Sequence, residues 1–508
     1  MRIFVYHPTL RGGTFFFIPL NDKYMKEIIS QLQPSALWAY FYELTQVPRP
    51  SGHMAPIQAY MMHFGQSLGL PTITDAVGNI VISKPATPGM ENKTPVVLQA
   101  HLDMVPQKNS HVVHDFEKDP IKPRIIDGWM YATDTTLGAD NGIGVAAAMA
   151  VLAATDVPHG PIEALFTIDE ETGMDGAFGL KPETIKGRTL INMDSEDEGE
   201  LFVGCAGGVN VNVNFACPQR VPVPDGHLAF RLSLTGLKGG HSGLDINLGR
   251  ANANKSLFHL LKNLVGSLGA RLATFQGGTL RNAIPREAFA VVTLPASKAK
   301  ELADVVADYE ATMKTLYDGI EDNLSLTINA VDVPEGLLPE PLQDDVINAV
   351  VAVHDGVLRT IPGMSDVVET SSNLAIVKTE ELAVTFQFLA RSSSEVMKDQ
   401  LVSMIQSACS LAGAKVTTSG AYPGWMPNLK SHLMDVMVST HESLFGKKPG
   451  VNVIHAGLEC GILQEAVGTM EMISFGPTIR HPHSPDEKVE IGSVERFWNY
   501  LVSVLKAI

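Results

Sequence analysis

Three short apolar runs, at residues 95–99, 162–168 and 189–193, each give way to histidine or acid: His101 and Asp103 after the first, Glu170 and Glu171 after the second, Asp194 after the third. Runs of this length, alternating with helical patterns from Ser35 to Cys205, predict the buried strands of an α/β domain built on a largely parallel sheet. In open sheets of this kind ligands bind outside the carboxyl ends of the strands, so these polar residues are expected to converge on one crevice. The pattern returns near the C-terminus. A helix at 433–445 and an apolar strand at 470–475 lead into the polar segment 480–487, which contains His481 and His483.

Between these two parts the character changes to longer alternating strands, such as 230–235, with helices such as 251–264 between them. A strand, a Gly/Ser-rich turn, a helix, a small-residue turn and a second strand pass through Leu232, His241, Leu261, Gly269 and Leu272, and again through Phe386, Arg391, Leu401, Gly413 and Val416. The recurrence predicts two related α+β halves, although any strand–helix–strand unit shares the pattern. The expected organisation is a catalytic domain formed by 25–207 and 424–508, with an α+β domain inserted at 208–423.

Composition removes several classes of function. With 508 residues, 45% hydrophobic and 18% charged, the chain can bury the cores of two domains. Its longest apolar stretch, 142–154, falls short of the roughly 20 residues that a membrane helix needs. The apolar run at 15–20 is too short for the core of an export signal. A total of 38 Lys and Arg against 55 Asp and Glu gives a net charge of −17, which opposes binding to nucleic acid or an anionic membrane. The four cysteines, Cys205, Cys217, Cys409 and Cys460, lack the spacing of a disulfide framework or a thiolate zinc site. The expectation is a cytoplasmic protein with small-molecule partners.

Imidazole and carboxylate together form the ligand set of a zinc-like ion, and a catalytic site leaves one position for water. In His101-Leu102-Asp103 the spacing puts both side chains on one side of an extended backbone, so one can bind metal while the other orients it. Asp140 sits in a Gly-rich turn ahead of the helix expected at 143–154, where it serves equally well as a cap. Glu170 and Glu171 repel each other unless positive charge lies beside them. With a metal there, one ligates and the other takes a proton from water as general base. Each signal alone also describes a polar loop, a cap or a solvated turn; their joint placement at strand ends favours a two-metal hydrolase.

The segments QAHLDMVPQ at 99–107, TLGADNG at 136–142, EETG at 170–173 and INMD at 191–194 resemble the metallopeptidase M20 family. GGHSG at 239–243, LRNAIPRE at 280–287, HAGLECG at 455–461 and HSPDE at 483–487 narrow the resemblance to its bacterial aminoacyl-histidine dipeptidase group, and the similarity runs from Met25 onward. The resemblance implies a zinc-peptidase-like catalytic domain with an inserted, duplicated ferredoxin-like lid. By it, Asp140 would bridge two divalent ions, zinc or alternatively cobalt or manganese, with His101 and Asp194 completing one site and Glu171 and His483 the other. Glu170 would be the base, Asp103 would orient His101, and the Asp140–Asn141 bond would be cis. His241 matches a lid histidine that stabilises the oxyanion. Asn282 and Arg391 match substrate-holding positions, Arg391 with a fork suited to a C-terminal carboxylate. Glu459 would meet the substrate's amino group or serve as a buried structural acid. His483 is preferred to His481 as ligand because Ser-Pro-Asp-Glu follows it.

The implied substrates are dipeptides, including Xaa-His dipeptides such as β-alanyl-histidine. An aminoacylase or tripeptidase of the same clan is the alternative, and so is a non-catalytic binding protein, although Glu170 and all the ligand positions are present. Monomer and homodimer both remain open. Residues 1–24 have no counterpart in the family, so Met25 is the expected natural start and the stretch before it an extension.

Overall fold

In the computed structural model, which describes residues 22–508, the three apolar runs lie side by side. Val96–His101 runs between Ile162–Thr167 and Thr189–Asn192, parallel to both, and every one of its residues is buried, as in a strand covered on both faces. Glu471–Ser474 adds a fourth parallel strand beside Thr189–Asn192. Outside this core the direction changes. Thr72–Thr74 and Ile80–Lys84 extend one side antiparallel, and Glu200–Cys205 pairs antiparallel with Glu471–Ser474 on the other, with Gly450–Ile454 at that edge. The largely parallel sheet expected from sequence is therefore a mixed one of eight strands. Parallel neighbours need a long crossover, such as the helix Ala139–Ala153 between Val96–His101 and Ile162–Thr167, whereas the edge strand Thr72–Thr74 needs only a short turn. That helix is rich in Gly and Ala and almost wholly buried, which lets it approach both the sheet and the helix Ser35–Thr45 closely.

A separate antiparallel sheet orders Ile479–Arg480, Lys488–Glu490, Trp129–Ala132 and Pro123–Ile126. Its first two strands flank the turn that carries His483. Apart from the last residues of Glu200–Cys205 and Gly450–Ile454, these elements belong to one unit, made of the described residues up to Val203 together with Asn428–Val451 and Leu463–Ile508.

The second unit, Gly204–Pro427 with Asn452–Ile462, holds a nine-stranded antiparallel sheet and a two-stranded one that pairs Gly240–His241 with Ala283–Ile284. In one half, His227–Thr235 leads through the helix Ala253–Leu268 to Arg271–Gly277, and both strands pair antiparallel with Ala288–Pro295 between them. In the other, Ala383–Ser392 leads through the helix Glu395–Leu411 to Lys415–Tyr422, with Gly207–Ala216 between them. Each is a split β-α-β unit, and each has one more strand outside its first: Ser325–Val331 in one half, Met364–Thr379 in the other. The spatial order matches; the connectivity does not, because Gly207–Ala216 precedes the whole of the first half in the chain.

The observed unit differs from the expected insertion by a few residues at each end and in one further segment. Asn452–Ile462, expected in the catalytic domain, packs with the second unit. Ala206 donates its N–H to the Ile454 and Ala456 carbonyls at 3.0 and 3.1 Å, and His455 Nε2 meets Ser371 Oγ at 2.7 Å. The expected extension at 1–24 lies outside the described residues, except for the backbone at the start of the helix Asp22–Ile29, which continues through Met25. Among the described residues no helix is long and apolar enough to cross a membrane.

Candidate active site

The strand order reverses at Val96–His101: the chain next adds Ile162–Thr167 on one side and then Thr189–Asn192 on the other, so the loops beyond their carboxyl ends diverge and leave a crevice. Register brings those ends level, His101 opposite Thr167 and Gln99 opposite Asn192. Beneath the crevice the Asn192 and Gln99 side chains are hydrogen-bonded, and Gln99 Nε2 donates to Thr167 Oγ1 at 3.1 Å, which ties the three strands together.

Asp140 occupies the centre. His101 Nε2 lies 3.1 Å from Asp140 Oδ1 and 3.3 Å from Asp194 Oδ1. His483 Nε2 lies 3.0 Å from Glu171 Oε2 and 3.4 Å from Asp140 Oδ2. The two oxygens of one carboxylate thus face two different imidazoles. Among the described residues, the groups whose ligand atoms lie within 4.8 Å of one another are His101-Asp140-Asp194, Asp140-Glu171-His483 and His101-Glu170-Glu171, all of them here, and His481 belongs to none. The Asp140–Asn141 peptide is cis, and Gly138, not Asp140, stands at the N-cap of the following helix.

Asp103 is fully buried. It accepts the backbone N–H groups of Glu170 and Glu171 at 3.0 and 3.1 Å and the Ser51 hydroxyl at 2.8 Å, and its Oδ1 lies 3.4 Å from His101 Nδ1. It therefore fixes both the His101 ring and the turn bearing the glutamates. The Asp103 carbonyl also lies 3.2 Å from Nδ1. With Nδ1 as the donor, a neutral ring turns the Nε2 lone pair toward Asp140 and Asp194. His483 is 51% exposed, so the crevice opens to solvent on its side.

The electrostatics show a site short of positive charge. Burial would raise Asp140, but hydrogen bonds from His101 and His483 outweigh it and hold the acid below its ordinary range. Burial opposes the same effect at Asp103, where the His101 hydrogen bond brings the acid down to about 2. Asp194 is pushed up to about 6 by burial, and Glu196 up to about 9 by burial beside Asp140 and Asp194. His483 is driven up to about 11 by its hydrogen bonds to Asp140 and Glu171. His101 is raised against its burial by Asp194 and the other acids that it touches. Acids and imidazoles that rise together mark a place where added cations are favourable. Glu171 Oε1 is buried and accepts no hydrogen bond, which is costly for a carboxylate unless a cation faces it. Imidazole nitrogen and carboxylate oxygen in these groups fit two divalent, zinc-like ions.

The sequence profile described as "Peptidase family M20/M25/M40" matches residues 97–507. The chain belongs to this peptidase family. It is 47% identical over 480 residues to the cytosol non-specific dipeptidase of Escherichia coli (strain K12), spanning 94% of this chain and 99% of that protein. The crystal structure of the aminoacylhistidine dipeptidase from Vibrio alginolyticus matches with a TM-score of 0.91 at 47% identity, over 94% of this chain and 98% of that one. The aminopeptidase PepT from Bacillus cereus, at 18% identity and a TM-score of 0.55 over 94% of this chain and 99% of that one, shares the fold. The chain is a peptide hydrolase with the M20 peptidase fold.

Two buried charges of this M20 peptidase were not singled out by its sequence. Glu487 accepts the backbone N–H groups of Leu137, Gly138, Ala139 and Asp140 at 2.7, 2.9, 2.7 and 3.3 Å. Arg49 donates to the carbonyls of Gly138, Leu102 and Asp103 at 2.5, 3.0 and 3.1 Å. Gly138 and Gly142 make room for that guanidinium, since a Cβ at either would lie 2.6 Å from Arg49 Nη2. Glu487 closes the HSPDE motif, which was a usable signal; nothing around Arg49 separates it from a surface arginine.

The other expected residues of the M20 chain lie in its second unit. His241 Nδ1 accepts the backbone N–H groups of Gly243 and Leu244 at 3.2 and 3.0 Å, so the neutral ring carries its proton on Nε2. Burial, and then Arg391, lower its pKa. Buried Arg391 donates to the Tyr422 hydroxyl at 2.9 Å and to Ser242 Oγ at 3.4 Å. Asn282 is exposed, and its carbonyl accepts the Ser242 N–H at 2.8 Å. Glu459 is fully buried. His455, which the sequence offered only as part of a motif, is buried against Ser371 and pushed down to about 3 by burial, then by Arg391 and His241.

Proposed function

We propose that this M20 peptidase hydrolyses dipeptides at a two-ion centre in its first unit, with Glu170 as the general base. The observation that carries the reading is Asp140, whose two oxygens face separate imidazole–carboxylate groups, as a carboxylate shared by two ions requires. The reading assigns His101, Asp140 and Asp194 to one ion and Asp140, Glu171 and His483 to the other. Zinc is the expected metal, with cobalt or manganese as alternatives. When bound, such ions polarise the scissile carbonyl and lower the pKa of water. Glu170 takes the proton of the attacking water and returns it to the leaving amine. Asp103 holds His101 and the glutamate turn while this happens. To the second unit the reading assigns His241 Nε2–H as a donor to the developing oxyanion, Arg391 as partner of the C-terminal carboxylate, Asn282 as a further hydrogen-bonding group and Glu459 as acceptor of the amino group.

Identity of 47% to a relative named as a dipeptidase supports the dipeptide class, and the aminoacylhistidine specificity in the name of the Vibrio protein supports Xaa-His substrates such as β-alanyl-histidine. The word cytosol in the first name, with four buried cysteines that form no disulfide, supports action in the cytoplasm.

The test is hydrolysis of β-alanyl-histidine, glycyl-leucine, a tripeptide and an N-acetyl amino acid by metal-loaded wild type and by Glu170→Ala. Cleavage of the two dipeptides alone, with kcat lowered about 100- to 10,000-fold in the variant while metal is retained, upholds the reading. Cleavage of the tripeptide or the N-acetyl amino acid moves the chain to a tripeptidase or an aminoacylase. No cleavage by loaded wild type overturns it in favour of a binding protein.

A further inference from the structure

The turn that carries His483 reaches the crevice from a small sheet of its own, and Glu487 at its end is turned away from solvent. Its N–H closes the turn on the Ser484 carbonyl at 2.9 Å, while its carboxylate leaves the turn to accept four successive N–H groups, from Leu137 to Asp140. Those groups are the backbone that presents Asp140. One side chain therefore joins the loops bearing two of the three members of the Asp140-Glu171-His483 group. The loop bearing His101 and Asp103 is tied to the same backbone by a different side chain, Arg49, through the Gly138 carbonyl.

The two ties are unequal in what they leave behind when cut. Asp140 keeps the Arg49 anchor on the Gly138 carbonyl, two residues earlier, if Glu487 is lost. His483, half exposed and in the left-handed region at φ 58°, is held toward the crevice by the turn that Glu487 pins. We infer that Glu487 is a positioning residue that sets the approach of His483 Nε2 to Asp140 Oδ2, and that it acts on the ion of the His483 group in preference to the ion of the His101 group. The inference rests on the two-ion reading above. Replacing the carboxylate by an amide would turn an NH2 donor toward one pair of backbone donors and leave one oxygen to accept from the other pair, so Glu487→Gln breaks half of the tie with almost no change of shape.

Full-length zinc-loaded wild type, Glu487→Gln and Glu487→Asp, the last retaining charge but withdrawing it by one methylene, are challenged with increasing chelator and the ions retained per chain are counted. The wild type is expected to hold two ions. Both variants should hold one as tightly as the wild type and release the other about 10- to 100-fold more readily, the usual effect of removing a group that orients a metal ligand. Retention of both ions at wild-type strength overturns the inference, and so does loss of both in parallel. A cycle with His483→Ala adds a separate check. If Glu487 acts through His483, Glu487→Gln in that background leaves the remaining ion untouched, and a further weakening sinks the assignment. A wild type that retains fewer than two ions defeats the two-ion reading itself, a result distinct from any difference between variants.

Discussion

The crevice of the first unit and the cluster around Arg391 in the second use the same imidazole side chain under opposite charge balance. In the crevice, His101 and His483 are surrounded by Asp140, Glu171 and Asp194, and both rings are driven toward the charged form. In the cluster, His241 and His455 lie near Arg391 among the hydroxyls of Ser242, Ser371 and Tyr422, and burial and the guanidinium push both toward the neutral form. Neighbours, and not the ring itself, decide which form is held. In the proposed reading the first region receives cations and the second an anion, the peptide carboxylate.

Asp140→Asn should break the contrast most severely. It leaves one neutral oxygen where two charged ones faced separate imidazoles, so the loaded protein should retain no ion under mild chelation and should hydrolyse no dipeptide even in excess metal. Two ions retained by this variant would remove Asp140 from the centre.

Arg391→Met tests the other side. A hydrogen bond to a charged group contributes roughly 1.5 to 3 kcal/mol, so kcat/KM for free dipeptides should fall about 10- to 100-fold while both ions stay bound. Dipeptide amides sharpen the result. The wild type should lose on the amide most of what the variant loses on the acid, and the variant should barely distinguish them. An equal loss on acid and amide would take the carboxylate away from Arg391.

How much of this was legible in the sequence depended on what each residue touches. The parallel core was readable because 95–99, 162–168 and 189–193 are apolar on both faces, and the acids and histidine that follow them mark the strand ends. The direction of Ile80–Lys84 was not, since a buried strand reads the same beside a parallel or an antiparallel neighbour. In the second unit the strand–helix–strand repeat left a pattern, but the strand lying between Ala383–Ser392 and Lys415–Tyr422 comes from Gly207–Ala216, far away in the chain. Within the crevice, side chains that meet other side chains announced themselves by type. Arg49 and Glu487 meet backbone carbonyls and N–H groups, which every residue except proline offers alike, so their partners leave no mark in the sequence.

The smallest effect concerns His455 and is seen in stability. Its ordinary pKa of 6.5 is pushed down to about 3 in the folded chain. Between those values the unfolded chain binds a proton that the folded chain refuses, so stability falls as pH drops through the window and recovers as pH rises. His241, lowered by the same causes, acts with the same sign. At pH 5 the His455 contribution lost is about 2 kcal/mol, which at about 2 to 4 °C for each kcal/mol in a unit of this size is a shift of about 4 to 8 °C. His455→Gln preserves a polar partner for Ser371 and removes the titration. Its melting temperature should therefore fall less than that of the wild type between pH 7 and pH 5, whatever the acids of the first unit contribute to both. Parallel curves for the two proteins would mean that His455 is not held neutral beside Arg391, and the contrast between the two regions would then rest on the crevice alone.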